Sequence, residues 1–176
     1  FNPASNLNYR LNLEILKDSL LDINRGQDLG NLNDTCVRFK LVVDETLDNS
    51  LASILLETGV IDTNMIEQLT LSDFASDKND MQRILMVSKT IAAMESGKTT
   101  LMTNTRSIDG SFYDLYNQYY QVTKTTDIDN EYLYFTTIAV GAVSEYRRVH
   151  KDFQCIVHIS ASEAKNLEPA LLNRFE

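Results

Sequence analysis

Lys98 sits in Ser96-Gly97-Lys98-Thr99-Thr100, which carries the end of a phosphate-binding loop. A lysine among small and hydroxyl residues can neutralise phosphate charge while backbone N–H groups cradle the oxygens. The loop must then leave a strand and open a helix, with a glycine five positions before the second one. Here that earlier position is Ala92. The surrounding pattern also runs the wrong way, predicting a helix before Lys98 and a strand after it. Gly97 therefore reads as a helix C-cap, with Lys98 beside the negative end of the dipole. A small α/β enzyme or nucleotide binder using Lys98 and Thr99 is the alternative function.

A tetrahedral metal set can be drawn from Cys36, His150, Cys155 and His158. Cys155 and His158 are three apart in a segment that reads as a strand, so they face opposite sides of a sheet and cannot share one ion without a bulge. No metal is expected. A Cys–His nucleophile pair fails for the same reason, and Asp127, Asp129 and Glu131 read as a solvated loop rather than an acid–base pair. Phe112, Tyr113, Tyr116, Tyr119 and Tyr120 follow helical spacing, which predicts packing rather than base stacking. Arg174 is different in kind. It follows an apolar strand and a short Pro-initiated helix, and from there a guanidinium can reach a neighbouring subunit's nucleotide and neutralise charge at the γ-phosphate. A surface ion pair is the plainer use of the same residue.

The elements that must position these side chains alternate. Leu13, Leu16, Leu20 and Ile23 predict an opening helix with Asn6 or Asn8 as its cap and Arg10, Lys17 and Asp18 on its polar face. A loop follows over Gln27 to Asp34. Strands are predicted at Val37 to Val43, Met65 to Leu71, Thr99 to Thr103 and Phe153 to Ile159, with two extended pieces meeting at Gly141. Helices are predicted from Asp48 or Asn49 to Glu57 and along the stripe Ile84, Leu85, Val87, Ile91 and Met94, the latter with Asp77, Asn79 and Asp80 at its start. A third is predicted from Ser111 to Val122. This alternation argues for an α/β fold with a mostly parallel sheet and flanking helices.

Composition narrows the classes. The 176 residues hold 25 acidic and 16 basic side chains, a net charge of −9, which opposes nucleic acid or an anionic membrane as partner. No apolar run reaches the ~18 residues of a membrane span. The 6 glycines and 2 prolines are few, which favours long helices over tight hairpins. Two distant cysteines make no disulfide framework, so a cytoplasmic setting is expected. The chain opens at Phe1 without Met and stops at Phe175-Glu176, as a piece of something longer would.

Glu168-Pro169-Ala170-Leu171-Leu172-Asn173-Arg174-Phe175 resembles the arginine-finger box of AAA+ ATPases. Together with Met94 to Lys98, Leu101 to Asn104, Tyr113-Asp114-Leu115-Tyr116-Asn117-Gln118-Tyr119-Tyr120, Val149-His150 and Asp152-Phe153, the pattern is similar to mysterin-like giant RING-type E3 ubiquitin ligases with a dynein-like AAA+ core. The likeness lies mainly over residues 80 to 176. It implies residues 1–33 as a connection from a preceding module and 34–176 as an AAA+ large subdomain that lacks its helical lid. It also implies a degenerate module, the fifth of the ring. Asp44 to Ser50 stands in the P-loop place without Gly or Lys, and the strand in the Walker B place ends in Asn104-Thr105 rather than Asp-Glu. Arg174 becomes the candidate trans arginine finger, and Asn104 and Ser160, the latter in the sensor-1 position, become weak nucleotide contacts. No cofactor is expected in this segment. ATP and Mg²⁺ belong to neighbouring modules, which are its partners within the same polypeptide, and the ubiquitin machinery meets other regions of the parent.

Overall fold

Residues Gln154–Ser160 form the central strand of a four-stranded parallel sheet, and six of its seven side chains are buried. A strand covered on both faces needs such a continuous run, since neither face can remain polar. The computed structural model describes residues 13–18, 38–45, 50–72, 74, 79–124 and 132–175. The chain divides into two units, Phe1–Val37 and Arg38–Glu176. In the first, residues 13–18 are helical, with Leu13 and Leu16 half-buried and Lys17 and Asp18 exposed. The predicted caps Asn6 and Asn8, Arg10, Leu20, Ile23 and the Gln27 to Asp34 loop lie outside the described residues.

In the second unit the strands are β1 Lys40–Asp44, β2 Ile66–Thr70, β3 Thr99–Thr103, β4 Gln121–Lys124, β5 Tyr132–Val140, β6 Val143–Val149 and β7 Gln154–Ser160. The parallel sheet has the order β1-β7-β3-β2. Lys40 pairs with Ile156 and Asp44 with Ser160, while Thr99 pairs with Gln154 and Thr103 with His158. The α/β fold with a parallel sheet and flanking helices is therefore present. Ile156, Leu101, Met102 and Leu69 in its strands are at most 2% exposed. Each such side chain contributes roughly 1.5–3 kcal/mol.

Helix α1 spans Leu51–Glu57 and sends the fully buried Leu55 into the core. It starts after Ser50, without a side-chain cap, and the expected caps Asp48 and Asn49 lie outside the described residues. Helix α2, Asp80–Ser96, opens on Asn79, whose side chain accepts from the Gln82 N–H at 2.9 Å; Asp77 is outside the described residues. Gly97 closes the helix at φ +75°, and the Lys98 N–H donates to the Ala93 carbonyl, as a helix C-cap does. The predicted stripe is only half correct. Val87, Ile91 and Met94 are buried, but Ile84 and Leu85 are 43% and 45% exposed. Burial is confined to the stretch from Val87 to Met94.

The predicted helix from Ser111 to Val122 is broken. A 3-10 turn, Asp109–Phe112, leads into one short helix, α3 Tyr113–Tyr116. Gln118 then takes a left-handed φ of +55° and the Tyr119 N–H donates to the Asp114 carbonyl, which ends the helix. The chain continues as β4, antiparallel to β5, which turns at Gly141-Ala142 into β6. Ladder pairing with β5 overrides the helical spacing of the tyrosines. Gly141 has φ +61°, which suits the first central position of a two-residue hairpin turn. This three-stranded antiparallel sheet interrupts the parallel alternation between β3 and β7. Its inner face carries Tyr134, Thr136 and Ile138, and Arg147 of β6 reaches Glu95 of α2 at 3.7 Å. Two further short helices, α4 Ala161–Ala164 and α5 Pro169–Leu172, finish the unit, with Pro169 at the first position of α5 as predicted.

Candidate functional site

Open α/β sheets bind ligands outside the carboxyl ends of their strands, so the ends of β1, β3 and β7 define where to look. They place Asp44, Thr103-Asn104 and Ser160 on one edge. His158, two residues before the end of β7, bridges its neighbours. Its Nε2 lies 3.1 Å from Asp44 Oδ2, and its Nδ1 lies 3.5 Å from Thr103 Oγ1. Both partners of the closer contact are nearly closed to water, with side chains 6% and 13% exposed. A carboxylate thus occupies the place where a phosphate loop would begin.

The two weak nucleotide candidates are engaged within the chain. Asn104, at φ +57°, donates from Nδ2 to the Leu71 carbonyl at 2.8 Å, tying the end of β3 to the end of β2. Ser160 caps α4: its Oγ accepts from the Glu163 N–H at 3.2 Å, and the Glu163 carboxylate accepts from the Ser160 N–H at 2.8 Å. This reciprocal capping box follows from Ser160 and Glu163 being three apart. Asn104, His158 and Glu163 line a crevice that Leu41, Leu171 and Phe175 close with apolar surface.

Arg174 follows the short helix α5, whose Leu171 lines the same crevice. Its guanidinium carbon lies 4.0 Å from the centre of the Tyr113 ring. The next residue, Phe175, is buried, packs on Tyr116 at 4.9 Å between ring centroids and bridges to Phe39 ahead of β1. Under the same helical turn lies Asp109. Burial pushes its carboxyl above the ordinary value, against the pull of the Tyr116 hydroxyl, Arg106, Thr105 and Arg174. The fully buried Tyr116 donates to Met102 Sδ at 3.2 Å and lies 3.5 Å from Asp109, and burial pushes its phenol well above the ordinary range.

Lys98 and Thr99 do not share this place. They open β3 at its amino end, the opposite edge of the sheet. Gly97 there lies against His150, whose N–H donates to the Met94 carbonyl at 3.0 Å. Cys155 and His158 point to different surroundings, as strand alternation requires: Cys155 Sγ lies 3.9 Å from Met102 Sδ, and burial raises its thiol to about 12. Cys36 lies outside the described residues. Among the described residues there is no metal-binding cluster and no helix long and apolar enough to cross a membrane. Spacing pointed to Arg174 but not to Tyr113 as its support, and the Asp44–His158 contact needed the strand register to be known.

Residues 29–176 match the RNF213 AAA domain family. The chain belongs to that family. An uncharacterized Dictyostelium discoideum protein named as a transmembrane protein is 30% identical over 164 residues, which is 92% of this chain. The chain spans about 3% of the length of that curated relative. It is thus an AAA module of an RNF213-like protein, and the Tyr113-to-Tyr120 text that suggested mysterin lies inside the matched region.

Proposed function

We propose that this RNF213-type module holds no working ATP site of its own, serves as architecture between neighbouring AAA modules, and lends Arg174 in trans to the nucleotide of the preceding one. The observation that carries the first part is the Asp44–His158 contact at 3.1 Å. Phosphate recognition at that strand end asks for N–H donors and a lysine. Asp44 to Ser50 offers neither Gly nor Lys, and its first carboxylate is already held by an imidazole. ATP with Mg²⁺ does not fit this residue set. The Asn104 amide and the Ser160 hydroxyl serve the fold, which agrees with the same reading.

The second part rests on Arg174, whose guanidinium carbon lies 4.0 Å from the centre of the Tyr113 ring; a guanidinium held by its face keeps its in-plane N–H donors for oxygen acceptors. ATP and Mg²⁺ then belong to the neighbouring modules. Ubiquitin transfer and the meeting with the ubiquitin machinery belong to other regions of the parent, in a cytoplasmic setting. Calorimetry of this chain with ATP and ADP is expected to show no binding tighter than millimolar, and micromolar binding would overturn the silent-module reading. Substituting Arg174→Ala in the full-length parent is expected to lower ATP turnover about tenfold or more. Unchanged turnover would sink the trans role.

A further inference from the structure

The geometry points to Tyr113 as a positioning residue for Arg174, its ring fixing the guanidinium for a phosphate oxygen presented by a neighbouring module. This inference rests on the trans role just proposed. An arginine side chain has many rotamers, and presenting it in one of them costs affinity or rate unless something already holds it. Here one helical turn supplies the hold. Tyr113 and Tyr116 lie three apart on α3, and they grip two consecutive residues. Tyr116 packs on Phe175 at 4.9 Å, while the Tyr113 ring lies under the Arg174 guanidinium at 4.0 Å.

The two grips differ in what they do. Tyr116 and Phe175 are buried, and Phe175 also bridges to Phe39, so this contact anchors the backbone of Arg174. Tyr113 is 51% exposed, so it adds little core and acts mainly on the group resting on it. Among the described residues no carboxylate forms an ion pair with Arg174; the half-buried Asp109 feels its charge without pairing with it, and the Tyr113 ring is the contact at the guanidinium. Cation–π stacking uses the face of the guanidinium and orients its plane. A guanidinium held in that way keeps the N–H fork at its edge for bidentate recognition of phosphate oxygens.

The test measures kcat and KM for ATP in the full-length parent carrying Tyr113→Leu, Tyr113→Phe, Arg174→Ala and the Tyr113→Leu/Arg174→Ala pair. Tyr113→Leu is expected to lower kcat roughly three- to thirtyfold with KM within about twofold, the range a cation–π contact converts to. Tyr113→Phe, which keeps the ring face, is expected to stay within about twofold of the parent on the same scale. In the pair, loss of the ring is expected to add nothing to Arg174→Ala, because the ring acts only through the guanidinium. A normal kcat for Tyr113→Leu beside a lowered one for Arg174→Ala overturns this inference alone. So does a further drop in the pair, or a Tyr113→Phe variant as slow as Tyr113→Leu. A normal kcat for Arg174→Ala overturns the trans role and the role of Tyr113 with it. Should Tyr113→Leu fail to fold, Tyr113→Met takes its place with the same expectations.

Discussion

The Nε2 atom of His158 stands 3.1 Å from the Asp44 carboxylate and so joins two adjacent parallel strands near the end of their shared register. Removing one member of such a buried pair takes a hydrogen bond from the other. Asp44→Ala is therefore expected to destabilise the chain by about 1–3 kcal/mol, whereas Asp44→Asn, which keeps an acceptor oxygen, costs less. Urea denaturation of the two variants measures the difference. Equal losses would show that the carboxylate oxygen is not what matters.

Gly97 combines a left-handed φ of +75° with a neighbour where its side chain would be. A Cβ placed there would meet His150 Nδ1 at 2.4 Å. Gly97→Ala is expected to cost about 1–2 kcal/mol from backbone strain alone, and more from displacing the imidazole. In a His150→Ala background the same substitution is expected to cost only the strain part, because the collision is gone. A thermal-melt cycle over the four variants reads that coupling.

Asp109 links pH to stability. Its carboxyl is raised in the folded state, first by burial, so the folded chain holds that proton more tightly than the unfolded chain does. The resulting penalty is absent below the unfolded value near ~3.9 and grows as pH rises through the folded one. Asp109→Asn keeps an acceptor for Tyr116 without the charge. It is expected to raise the melting temperature at pH 7 by up to about 2–4 °C, with the gain fading as pH falls below about 4. A gain that persists in acid would point to packing instead.

Cys155 is fully buried, and its thiol is pushed up to about 12. Thiolate is the reactive form, so the native chain at pH 8 is expected to leave this residue unmodified by an aromatic disulfide reagent. In denaturant the same thiol is expected to react within the ordinary range for an exposed cysteine. Mass spectrometry of the Cys155 peptide separates it from Cys36.

The parts of the fold written in local chemistry were readable. The apolar run of β7 reads as an interior strand, Gly97 reads as the end of a helix before Lys98, and Pro169 starts its short helix. The broken helix has one cause. The tyrosines after Ser111 keep helical spacing, yet Gln118 turns left-handed and Gln121–Lys124 pairs with a strand that begins eight residues on, after residue 131. Strand pairing of that kind outweighs helical propensity. The site divides the same way. Arg174 is visible from its place after a strand and a Pro-initiated helix, but its Tyr113 support and the Asp44–His158 contact exist only once distant segments are brought together.

The parallel pairing of β1 with β7 also sets a timetable. β5 and β6 meet across a two-residue turn and can form as soon as both leave the ribosome. Lys40 must wait for Ile156, which is made more than a hundred residues later. At about 5–20 residues per second that delay is on the order of ten seconds. During it the β1 segment has no sheet to join, so the nascent module is most open to misassociation at the strand that is made first and closed last.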